Sequence, residues 1–97
     1  MRADYDKTAD TIQIELEPAD RLDGDVVTVP GVLVGIRDQK PVLIDVVGTR
    51  AGVEERLTAV GKCFELDAEA LIATARAALS APDRAVTVDV GLPTAPD

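Results

Sequence analysis

The stretch Ala3–Leu16, ADYDKTADTIQIEL, decides how this chain folds. Within it Ile12, Ile14 and Leu16 alternate with Thr11, Gln13 and Glu15. Successive side chains of a strand point to opposite faces, so a period of two puts three aliphatics on one face and polar groups on the other. That is the pattern of a half-buried strand in an antiparallel sheet. Just before it, Tyr5-Asp6-Lys7-Thr8-Ala9-Asp10 reads as a turn, because Asp and Thr side chains bond nearby backbone N–H groups. Arg2 to Tyr5 then forms a short first strand. Its Tyr5 lays the ring on the apolar face and keeps the hydroxyl at the edge.

The same stretch holds a sharper pattern. Asp4, Asp6, Thr8, Asp10 and Glu15 fall at positions one, three, five, seven and twelve of a calcium-loop register. Three features oppose it. Ala9 stands where the loop needs glycine, too few residues precede it for an entering helix, and Ile12-Gln13-Ile14 alternates as a strand. Asp4, Asp6, Asp10 and Glu15 are therefore weak metal candidates, and a solvated acidic hairpin fits the pattern better. No catalytic or cofactor-binding residue is assigned.

Outward from this hairpin, Glu17 to Asp25 is a charged loop punctuated by Pro18 and Gly24. Val26 to Val29 reads as a strand, Pro30-Gly31 as a turn, and Val32 to Arg37 as a strand with Val32, Val34 and Ile36 on one face. Asp38-Gln39-Lys40 makes a short connection to Pro41–Val47, which predicts a hairpin. There Val42, Ile44 and Val46 oppose Leu43, Asp45 and Val47, so the second face is partly apolar and calls for a cover. Val53 to Val60 suits a short helix closed by Gly61, and Lys62 to Leu66 a brief extended stretch. Asp67 is a good N-cap for a helix over Ala68–Leu79, the main helix at about 67–80. Its stripe is Ala68, Leu71, Ile72, Ala75, Ala78 and Leu79, and its alanines suit close packing on the sheet or on a second subunit. Pro82 ends it. Arg84 to Val90 alternates as a last strand. The fold class is α+β: an antiparallel β-meander, one main helix and a C-terminal strand. Residues 1–91 form a single domain and 92–97 a mobile tail.

Composition narrows the function. The 97 residues are 46% apolar but only 2% aromatic, so Val, Ile, Leu and Ala must build the core. The net charge of −8 argues against nucleic acid, whose binders use Lys and Arg to displace counterions. It suits solubility or a basic protein partner. Cys63 is the single cysteine, so no disulfide forms within the chain. With no histidine in the chain and acidic neighbours such as Glu65, it reads as a buried small hydrophobe and not as a nucleophile. MRADYDKTAD holds no apolar run of the kind a secretion signal needs, and no stretch approaches the roughly 20 apolar residues that span a bilayer. A cytoplasmic protein without membrane contact is the expectation.

YDKTADTIQIEL (Tyr5–Leu16), PGVLVGI (Pro30–Ile36) and VLIDV (Val42–Val46) together resemble the bacterial family called domain of unknown function 2283 (DUF2283). The likeness covers about residues 2–48 and departs from the family in its short Asp38–Lys40 turn. It implies a small β-meander with no settled activity and no catalytic residues. Some relatives look like the small partner of a toxin–antitoxin pair, which implies neutralisation of a basic toxin by binding.

Acid–base catalysis needs a base of tuned pKa beside a reacting group. Ser80 and Cys63 have no recognisable partner. Asp45 is the one acid inside a strongly apolar strand. Burial would raise its pKa, whereas a contact with Arg37 or Arg50 would make it a structural ion pair. The sequence thus favours a non-enzymatic interaction or self-association module, a homodimer built by pairing edge strands.

Overall fold

A computed structural model describes residues 1–50 and 52–88. Six strands form one antiparallel sheet: β1 (Arg2–Asp6), β2 (Thr11–Glu15), β3 (Gly24–Val29), β4 (Val32–Arg37), β5 (Lys40–Val47) and β6 (Ala85–Thr87). Two helices, α1 (Val53–Phe64) and α2 (Ala68–Leu79), lie between β5 and β6 in the chain. The strand order is β3-β4-β5-β2-β1-β6. The β1–β2 hairpin and the β3–β4–β5 meander thus join side by side through β2 and β5, with Ile14 opposite Ile44.

Alternation explains the burial. Ala3, Ile12, Ile14, Val32, Val34, Val42, Ile44 and Val46 are all buried on one face. Both helices cover that face: α2 lies over β1 and β2, and α1 reaches β3. Leu57 and Val60 from α1 and Leu71, Ala75 and Ala78 from α2 complete the core. Each fully buried aliphatic contributes about 1.5–3 kcal/mol. The alanines let α2 settle directly on its own chain's sheet.

The β4–β5 turn is tight because Asp38 and Gln39 both take positive φ, at 53° and 65°. That is the two-residue turn whose twist matches the strands it joins. Asp67 caps α2, accepting a hydrogen bond from the Ala70 N–H at 3.2 Å.

The structure corrects the reading of the segment before α2. α2 stands where the main helix is expected, but α1 is its equal at twelve residues and not a short helix over Val53–Val60. α1 runs through Gly61 to Phe64, so Lys62–Phe64 is helical and not extended. Gly61 is present for close packing: a Cβ there would lie 3.1 Å from the Ala68 Cβ and 3.1 Å from the Leu66 carbonyl oxygen. The helix stops at Glu65, whose φ of 56° caps it. Cys63 is exposed, at the edge of the stripe set by Leu57 and Val60, and not buried. The last strand spans Ala85–Thr87 against β1. The expected continuation to Val90 and the tail at 92–97 lie outside the described residues.

Candidate functional site: the open face of the sheet

The face turned away from the helices carries the outward-pointing half of every strand. Asp4, Gln13, Asp45 and Leu33 stand side by side on β1, β2, β5 and β4. The next row holds Arg2, Glu15, Leu43, Gly35 and Asp25. Neighbouring strands are about 4.8 Å apart, so each row is a continuous band of side chains.

One end of this face is roofed. The Glu17–Asp23 loop folds back and is tied down by Asp23, whose N–H donates to the Ile36 carbonyl at 2.8 Å and whose carboxylate accepts from the Asp38 N–H at 2.7 Å. Its Leu22 lies over Gly35, where a Cβ would come within 2.9 Å of Leu22 Cδ1. Arg37 turns to this loop, pairing with Asp20 at 3.2 Å. The other end stays open, and Leu33 (36%), Val47 (47%) and Val27 (62%) are exposed there.

Asp45 lies at the centre. Its half-burial among apolar neighbours pushes its carboxyl above the ordinary range. A hydrogen bond from Gln13 Nε2 at 3.2 Å opposes this, while the charges of Asp4 and Asp25 add to it. The ion pair that a contact with Arg37 or Arg50 would make is not formed. Arg37 serves Asp20 and Asp38, and the Arg50 charge acts on Asp10. The four ion pairs among the described residues engage Asp20, Asp23, Asp38 and Glu54, and none touches Asp4, Asp25 or Asp45. Carboxylates in this setting can accept hydrogen bonds from cationic donors.

The weak metal candidates are dispersed. Asp4 and Glu15 stand in separate rows of the open face, and Asp6 accepts from the Ala9 N–H at 3.1 Å within its own turn. Asp10 is committed elsewhere: Oδ1 accepts from the Tyr5 hydroxyl at 2.8 Å and the Thr49 hydroxyl at 2.6 Å, and Oδ2 from the Thr49 N–H at 3.1 Å. Those bonds hold its carboxyl below the usual carboxylate range, those from Thr49 and Tyr5 weighing most. Among the described residues no group of three or more acids, cysteines or histidines is disposed around one point.

The residue that sequence reasoning missed is Arg56. It is buried, at 9% exposure, and its guanidinium is held by carbonyl oxygens. Nη1 donates to Val47 at 2.8 Å and Gly31 at 3.5 Å, Nε to Gly52 at 3.4 Å, and Nη2 to Gly48. It thereby ties the β3–β4 turn and the end of β5 to the start of α1. Gly31 makes room for it, with φ at 80° and a Cβ position only 2.7 Å from Nη1. The available signal was spacing: Arg56 lies one turn before Val60, on the apolar side of the helix. Thr49 had no such signal.

No family model matches this chain, and neither does any curated protein or solved structure. No helix of the described residues is long and apolar enough to cross a membrane.

Proposed function

We propose that this protein is a small, cytoplasmic, non-enzymatic interaction module that self-associates by pairing its β3 edges across a two-fold axis. The observation that carries this reading is the state of β3. It is one of the two edge strands, it bonds only to β4, and every residue from Gly24 to Thr28 is exposed. Edge strands are usually protected by charge, proline or a cover. Here Val26-Val27-Thr28-Val29 is a β-branched run whose pairing with β4 shifts register between Val26 and Val29, and Asp25 is the only charge on the strand, so the irregularity is its one other protection. Antiparallel pairing of two such edges is isologous and closes as a dimer. The likeness to domain of unknown function 2283, which brings no catalytic residues, fits a binding role.

Sedimentation equilibrium over a wide concentration range tests the proposal. Dimer mass is expected, twice the 10.2 kDa of the monomer. Val27→Asp sets like charges against each other across the axis and is expected to return the monomer with its fold intact. Monomer mass at every concentration for the unaltered chain would defeat the dimer.

A further inference from the structure

We infer that the open face of the sheet docks an extended, lysine- or arginine-bearing segment of a partner protein, its cations meeting Asp4, Asp25 and Asp45 and its aliphatic side chains meeting Leu33 and Val47. This goes beyond strand pairing at β3, because the surface is the broad face of the sheet and not its edge.

Three observations select this occupant. First, these acids form no ion pair among the described residues, and Arg2, in the next row, is the one cation their two rows hold. Asp45 has only the neutral Gln13 as a hydrogen-bond partner, and no ion pair of the described residues reaches Asp4 or Asp25. Second, the acids sit among exposed aliphatics: Leu33 is paired in register with Asp45, and Val47 follows it two residues along β5. A cation reaching Asp45 loses water beside a half-buried carboxylate, which strengthens that contact, while Asp4 and Asp25 are exposed and add longer-range attraction. Third, the dimensions suit an extended chain. Asp4 and Asp45 are two strands apart, about 10 Å, and alternate residues of an extended segment stand about 7 Å apart. The length of lysine and arginine side chains absorbs the difference.

The same features reject other occupants. A second copy laid on this face would set Asp45 and Asp4 against like charges. Phosphate-bearing partners, nucleic acid or anionic lipid, meet the same repulsion.

The test is an NMR titration of the full chain with a short synthetic peptide of alternating lysine and valine. Its counterpart with glutamate in place of lysine serves as control. Saturable shifts are expected at Asp4, Gln13, Leu33, Asp45 and Val47, with none from the glutamate peptide. Asp4→Asn with Asp45→Asn is expected to weaken binding about five- to tenfold, from two lost charge contacts. Glu55→Gln with Glu69→Gln removes equal charge from the helices and is expected to change it less than about twofold. Leu33→Lys, at an exposed position, is expected to repel the peptide and checks the face independently of the acids. Three results would overturn the inference: no saturable binding, shifts confined to Gly24–Val29, or equal weakening by the two charge-removing pairs.

Discussion

Arg56 replaces a carboxylate partner with four carbonyl oxygens. Removing the guanidinium takes a donor from each of those oxygens, although Gly31 and Gly52 keep backbone N–H donors from Val47 and residue 56. We expect Arg56→Met to cost about 3 kcal/mol in urea unfolding, as hydrogen bonds to charged groups contribute about 1.5–3 kcal/mol each and some are regained from water. Arg56→Lys should recover little, because a point cation cannot span a fork-shaped set of acceptors. Two acids should show opposite pH dependence. The carboxyl of Asp10 is held below its ordinary value of 3.8, so its stabilisation is present above pH 3.8 and lost as the pH falls through the folded value. The carboxyl of Asp45 is raised, so folding binds its proton more tightly, and that contribution is full below pH 3.8 and lost as the pH rises. Urea midpoints measured against pH should therefore flatten at the acid end in Asp10→Asn. Asp45→Asn should instead raise the midpoint at neutral pH.

At the scale of elements, the packing of α1 on α2 depends on Gly61. Its neighbours at 3.1 Å are a Cβ and a backbone oxygen, which yield little. Gly61→Val should destabilise the fold by about 2 kcal/mol despite the loss of a helix glycine, since overpacking costs about 1–3 kcal/mol. Thermal unfolding by circular dichroism would show it. This glycine also marks where the sequence misleads. A glycine near a helix end usually signals termination, and only the approach of Ala68 reveals that it permits contact. The strands were legible because Ile12-Gln13-Ile14 and Val42-Leu43-Ile44 repeat with period two, and one side of the sheet is dry. α2 was legible through its Asp67 cap. The open face was legible as an incomplete apolar surface around Asp45. Its strand order and the lack of an arginine contact at Asp45 were not, because both depend on contacts distant in the chain.

For the whole molecule, charge and topology act together. Acids outnumber bases by eight, and several are gathered on one face. Self-repulsion of this kind is screened over about 10 Å at 0.1 M salt. We expect the melting temperature to rise as sodium chloride increases from low millimolar to about 0.5 M, where the screening length falls below roughly 5 Å. A salt-independent melting temperature would contradict a stability limited by repulsion.

The Tyr5 hydroxyl bonded to Asp10 has an optical consequence. The chain contains one tyrosine and no tryptophan, so tyrosine-like emission comes from a single ring. That ring lies on β1, and its hydroxyl reaches the carboxylate that also fastens Thr49 after β5. The bond to Asp10 is the main reason the phenol ionises above its usual range. A single absorbance titration in the ultraviolet thus reads the latch between two distant strand ends without a label. Asp10→Asn should move that titration down toward the value of a free phenol.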